Sequence, residues 1–248
     1  MASGYDAALY EAIAGAEPGS FWFRARNRLI VSTLRRHFPR AQSLLEVGCG
    51  TGFVLAAIRE AFPEMRLVGA ELFAEGLEVA RRRLPDLELV ELDATRMPYV
   101  DEFDVVCAFD VLEHVDENVA ALHGIRKAMR PGGGAVLLVP QHPVLWSRMD
   151  VVARHVRRYT RRELLRKVRV AGLEPVEATS FVSTLLPAMV FSRAARRLLR
   201  RPYDPVAELQ PATLNRVFER VLDGERRLIE RGVSLPAGGS LLVVARRR

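Results

Sequence analysis

The chain has 248 residues, 49% of them hydrophobic and 27% charged, with a formal net charge of +7. That supports one large α/β domain with a filled core, and excludes a disordered or fibrous composition. Residues 1–16 contain Asp6 and Glu11 and read as no signal peptide, and no stretch approaches the ~20 apolar residues of a membrane span.

Apolar spacing predicts an amphipathic helix over 20–38, followed by a short buried strand at 44–47. A helix over 53–62 stops at Pro63, and strand 66–70 leads to a helix over 74–84 that stops at Pro85. Strands follow at 87–92 and 103–109. Asp116 reads as the cap of a helix running to Arg130, broken by Pro131-Gly132-Gly133-Gly134, with a fifth strand at 135–139. Thr160 and Glu163 form a capping-box pattern for a helix ending at Gly172. Strands at 173–177 and 241–245 enclose an excursion with an apolar patch at 181–191, arginines at 193, 196, 197, 200 and 201, and a helix over 211–231.

Strands alternating with helices imply a doubly wound, mostly parallel sheet, in which ligands bind outside the carboxyl ends of the strands. That rule gathers Gly48 to Gly52, Glu71, Asp93, Phe109-Asp110 and Gln141-His142 around one crevice. Glycines at 48, 50 and 52 suit a sharp strand-to-helix turn that lets a nucleotide-like ligand approach the backbone. Glu46, just ahead of them, would repel the pyrophosphate of a dinucleotide and favour a ligand with a cationic centre and an amino group.

These motifs together resemble the Rossmann-like S-adenosylmethionine-dependent methyltransferases. Within them the chain is similar to the small-molecule branch that includes ubiquinone-biosynthesis enzymes. The resemblance rests on Glu46-Val47-Gly48-Cys49-Gly50-Thr51-Gly52, Glu71, Asp93-Ala94, Phe109-Asp110-Val111-Leu112-Glu113-His114 and Arg130-Pro131-Gly132-Gly133, in that order. It implies a seven-stranded α/β sheet with an N-terminal helical cap (1–40), a cofactor-binding core (41–142), an acceptor lid and helical insertion (143–240), and a last strand with a basic tail (241–248). These parts are expected to form one domain.

The resemblance also assigns roles. Gly48, Cys49, Gly50 and Gly52 line the methionine and ribose part of S-adenosylmethionine, and Glu46 accepts from its amino group. Glu71 holds both ribose hydroxyls, Leu72 packs on the adenine, and Asp93 and Ala94 bind the adenine edge. Phe109 and Asp110 flank the sulfonium, and Arg26 pairs the carboxylate. For chemistry at the methyl group, His114 is the first candidate base, with Asp110, His142 and His155 beside it. Asp110, Glu113 and His114 resemble an acidic-acidic-His set that binds a divalent cation in some ubiquinone-type relatives; no metal is assigned here. Gln141, Trp146, Arg158 and Tyr159 are the expected substrate-binding residues.

The basic charge is almost wholly arginine, with lysine only at Lys127 and Lys167, and reads mainly as solvated surface. Cys49 and Cys107 read as partly buried thiols of a cytoplasmic protein. The expected reaction is methyl transfer to a small-molecule acceptor, hydrophobic or acidic, at oxygen first and then nitrogen or carbon. RNA methylation and a non-catalytic cofactor-binding scaffold are the alternatives. Nucleic acid is disfavoured as a partner, and peripheral contact with an anionic membrane through 181–201 stays open.

Overall fold

The computed structural model describes residues 7–198 and 212–248. Its centre is a seven-stranded sheet in the order β3-β2-β1-β4-β5-β7-β6. The strands are β1 (Ser43–Val47), β2 (Arg66–Glu71), β3 (Glu88–Glu91), β4 (Phe103–Phe109), β5 (Met129–Pro140), β6 (Glu174–Phe181) and β7 (Ser240–Arg246). The first five run parallel, and β7 lies antiparallel between β5 and β6.

Helices cover both faces. They are α1 (Ala7–Ala16), α2 (Phe21–His37), α3 (Phe53–Ala61), α4 (Ala74–Arg83), α5 (Asn118–Ala128), α6 (Arg148–Val152), α7 (Arg161–Val170), α8 (Leu186–Leu198) and α9 (Ala212–Glu230). Alternate residues of each central strand feed two cores, as the strand period of two requires. On one face Leu45, Val106 and Leu137 pack with Leu122, Ile125, Leu164 and Val168 of α5 and α7. On the other Leu44, Val105 and Val136 pack with Leu29, Ile30, Leu55, Ile58 and Leu222 of α2, α3 and α9.

Two local expectations are corrected. The Pro131–Gly134 run does not break the chain ahead of a strand starting at Ala135: β5 already starts at Met129, and the register with β4 shifts between Phe103 and Val105. Glycine is needed there because β5 passes close to other atoms: a Cβ on Gly133 would sit 2.8 Å from the Asp104 carbonyl, and one on Gly134 2.5 Å from the Phe38 ring. Asp116 is not the cap of α5. Glu117 holds that position without a side-chain hydrogen bond, and the exposed Asp116 pairs with Arg157 at 3.3 Å.

The excursion before β7 is helical, and its last helix is clamped to the N-terminal part of the chain. Asn215 of α9 accepts from the Phe21 N–H at 2.7 Å, Glu219 pairs with Arg24 and Arg28, and Asp223 pairs with Arg28 at 2.9 Å. Buried Glu225 accepts from the backbone of Ser183 and Thr184, fixing the turn ahead of α8. The side chains of Arg196 and Arg197, all of Arg200 and Arg201, and the helix start expected at Pro211 lie outside the described residues. Among the described residues no helix is long and apolar enough to cross a membrane.

Candidate active site

β1 ends in a turn that only glycine accommodates. Gly48 has φ +70°, and a Cβ there would lie 2.3 Å from the Val111 side chain. Gly52, at φ +73°, caps α3 against Ala80 of α4. The Gly50 N–H donates to Glu71 Oε2 at 2.9 Å, while Glu71 Oε1 accepts from Leu72 and Phe73 at 2.9 and 3.2 Å. Burial raises the Glu71 pKa, and these three N–H groups oppose the rise.

Glu46 is the most unusual group in the turn. It is 2% exposed, and its Oε2 has no hydrogen-bond partner. Burial pushes its pKa up to about 8 against the pull of Arg26. A buried carboxylate with a bare oxygen is costly unless a donor meets it. It lines a cavity of about 130 Å³ with Tyr10, Glu17, Arg26, the backbone of residues 48–51 and Phe109. Gly52, Glu71, Leu72, Asp93 and Ala94 do not line this cavity. Leu72 is 41% exposed. Asp93 caps the short turn Ala94–Arg96 through Thr95, whose hydroxyl and N–H hold its carboxyl below the usual range.

The cavity is small because an N-terminal arm closes it. Glu17, 3% exposed, accepts from the Thr51 hydroxyl at 2.5 Å and pairs with Arg83 at 2.8 Å. Tyr10 packs on Gly76 of α4, where a Cβ would meet its ring at 2.9 Å and the Glu71 stem at 3.2 Å. Neither residue stands out in sequence, since a lone Glu-Pro-Gly reads as a turn.

Arg26 lies over Trp22 and Phe23, 4.6 and 5.2 Å from the ring centroids, and pairs with Asp110 at 2.5 Å. Its observed partner is therefore Asp110, held at φ +54° just after β4. Cys49 and Cys107 are fully buried, and burial pushes both thiols up.

The acceptor side departs further from expectation. Tyr159 is wholly buried and donates its hydroxyl to the Leu112 carbonyl at 2.8 Å. Arg158, 6% exposed, binds Asp150 at 2.7 Å and the Gln141 carbonyl at 3.2 Å. Both side chains face inward and are engaged by protein partners. Gln141 is buried with Oε1 unpartnered, and His142, at φ +62°, has a buried Nε2 without a partner. Trp146 is half-buried beside the short turn Pro143–Leu145.

His114 and His155 meet edge to face, their centroids 4.9 Å apart. Burial and then His155 lower the His114 pKa to about 4. Glu113 is fully buried with both oxygens unpartnered, and burial and then Asp110 raise its pKa well above the usual range. Ligand atoms of Glu113, His114 and His155 lie within 4.8 Å of one another, whereas Asp110 is engaged by Arg26 and is outside that group.

Residues 45–135 match the family model described as a methyltransferase domain. Residues 45–135 are thus similar to a methyltransferase domain. The matched span holds the glycine turn, Glu71, Asp93 and the β4 end. The seven-stranded sheet has the fold of solved methyltransferases. A dTDP-3-amino-3,6-dideoxy-alpha-D-glucopyranose N,N-dimethyltransferase of Streptomyces fradiae is 33% identical over 139 residues, 54% of this chain and 53% of that protein. A ubiquinone biosynthesis O-methyltransferase of Hydrogenovibrio crunogenus is 29% identical over 98 residues, 37% of this chain and 40% of that protein. The chain spans about half the length of the curated relatives it matches. A geranyl diphosphate methyltransferase, solved with its diphosphate and sinefungin, superposes with TM-score 0.63 at 16% identity, over 91% of this chain and 78% of that one. That likeness shows the fold.

Proposed function

We propose that the chain transfers a methyl group from S-adenosylmethionine to a hydroxyl of an apolar small molecule. The observation that carries the donor reading is Glu46, a buried carboxylate with a bare oxygen in a cavity at the glycine turn. A primary ammonium fits that group, and a phosphate does not. Gly48 and Gly50 would bring backbone to the donor, and Glu71 keeps lone pairs on both oxygens for a diol. When bound, the donor supplies an electrophilic methyl on a sulfonium. The chain's own residues bind it, align the acceptor and exclude water.

The present cavity, about 130 Å³, is below the ~300–1,000 Å³ of small-molecule sites. Donor entry therefore requires the Glu17–Thr51–Arg83 contacts to open. The imidazole of His155, beside Asp150, supports an acceptor that loses a proton, which favours oxygen over a neutral amine. Val144, Val151 and Phe191, 81%, 61% and 77% exposed, are apolar surface open to a hydrophobic acceptor. Among the relatives, one is named an N,N-dimethyltransferase and another an O-methyltransferase, so the chemistry of both is represented.

The test is formation of S-adenosylhomocysteine by the whole chain with panels of phenols, alcohols and amines. Turnover of hydroxyl compounds supports the proposal. Turnover of amines alone moves the acceptor to nitrogen, and failure to bind S-adenosylhomocysteine overturns the donor site.

A further inference from the structure

We propose that Asp150 is a positioning residue that fixes His155 as the proton acceptor for the hydroxyl substrate, an inference that rests on the methyl-transfer reading above. Asp150 has no exposed side-chain surface. Its Oδ2 accepts from the Ser147 N–H at 2.7 Å and hydroxyl at 3.1 Å. Its Oδ1 accepts from Arg158 Nε at 2.7 Å and faces His155 Nδ1 at 2.9 Å. Burial alone would raise the Asp150 carboxyl; the hydrogen bond to His155 and the charge and hydrogen bond of Arg158 instead hold it well below the usual range.

An ionised oxygen at Nδ1 requires a donor there. The neutral imidazole therefore carries its proton on Nδ1 and its lone pair on Nε2. That nitrogen lies 3.9 Å from Glu113 Oε1, beyond hydrogen-bond reach. The backbone sets its place: the Val156 N–H donates to the Glu113 carbonyl at 2.8 Å, and Gln141 bridges to Tyr159. The ring is thereby held over the carboxyl ends of β4 and β5, beside the residues that follow Phe109. The charged and titratable groups facing it are Asp150 from α6 and Glu113 and His114 from the β4–α5 loop, with Arg158 behind Asp150.

His114 is poorly suited to the same task, since burial leaves it a weak base. As the acceptor oxygen bonds to the methyl carbon, the carbon–sulfur bond breaks and its electron pair stays on sulfur. The hydroxyl proton passes to His155 Nε2, and the resulting imidazolium lies between the carboxyl groups of Asp150 and Glu113.

The experiment uses the whole chain with ¹⁵N-labelled histidine, saturated with S-adenosylhomocysteine, with His155→Gln assigning the ring. Wild type shows a protonated Nδ1 and a bare Nε2 at His155, and Asp150→Asn reverses this tautomer without changing S-adenosylhomocysteine affinity. With 3,4-dihydroxybenzoate and longer-chain phenols as probes, Asp150→Asn lowers kcat on the order of 100-fold or more, within the range for general bases. The KM for S-adenosylmethionine stays unchanged, and Asp150→Glu restores part of kcat. A merely structural Asp150 would instead lower melting temperature and donor affinity together. A wild-type ring protonated on Nε2, or undiminished kcat in His155→Gln, overturns the proposal. A chain that binds S-adenosylhomocysteine but methylates no probe overturns the parent reading, and with it the proton-acceptor role, while the tautomer still decides what Asp150 does.

Discussion

The two sides of the mouth above β1, β4 and β5 are assembled differently. The proposed donor side comes from one βαβ unit: Glu46, the glycines after β1, and Glu71 at the end of β2. The proposed acceptor side draws on separate segments: Glu113 and His114 after β4, Gln141 and His142 after β5, and Asp150 to Tyr159 from α6 onward. Backbone geometry defines the first, and buried side-chain networks define the second. The donor side should therefore fail through single backbone changes, and the acceptor side through loss of hydrogen-bond partners.

Gly48→Ala should show the largest effect. It combines a left-handed φ, a penalty of roughly 1–2 kcal/mol, with a clash worth roughly 1–3 kcal/mol. S-adenosylhomocysteine binding is expected to vanish, and the melting temperature to fall. Retained binding would break the claim that the backbone makes the donor site.

Tyr159→Phe comes next, as the acceptor-side counterpart. It leaves the buried Leu112 carbonyl without its donor and should cost about 1–3 kcal/mol in denaturant unfolding. Donor affinity should hold, since the ring lies in the core and away from the donor cavity. Loss of S-adenosylhomocysteine binding would show that the two sides are not separable.

The pH dependence of stability sharpens the comparison further. Glu46 is raised from its ordinary 4.5 to about 8, so the folded chain keeps a proton that the unfolded chain loses. Its contribution is complete below the unfolded value and is lost as pH rises through about 8. His114 is lowered from 6.5 to about 4, so its contribution is present above 6.5 and is lost as pH falls through about 4. Melting temperatures across pH 4–9 should therefore decline at both ends, as estimated from linkage. Glu46→Gln should flatten the alkaline decline alone.

Phe191→Ser should be the smallest change, within about 0.5 kcal/mol of wild-type stability, because the ring is 77% exposed. A lowered kcat/KM for long-chain phenols with stability unchanged would place α8 at the acceptor mouth.

Legibility in sequence follows the same division. The glycine turn, Glu71 and the strand order were readable because left-handed φ and strand–helix alternation leave local marks on residue type. The Pro131–Gly134 run is ambiguous in sequence because the same residues serve turns and close strand approaches. Only the distant Phe38 ring and the Asp104 carbonyl distinguish the two. Arg158 and Tyr159 looked substrate-facing because they follow β5, yet the bridge between Gln141 and Tyr159 turns them inward. Asp150 and Glu17 gave no signal, since an acid in a short helix or turn is normally solvated. Their burial is decided by partners far away in sequence or in other segments, such as Thr51 and Arg83 for Glu17.

On the proposed reading, Glu46 at the glycine turn receives the amino group of the methyl donor. Calorimetry of S-adenosylhomocysteine binding at pH 7, in two buffers of different ionisation enthalpy, tests it most directly. Wild type should bind and release a proton as Glu46 ionises against the ammonium. Glu46→Gln should bind roughly 10- to 100-fold more weakly, the worth of a charge-assisted hydrogen bond, and release none. Equal affinity and equal proton release in the two proteins would show that Glu46 does not meet the ammonium.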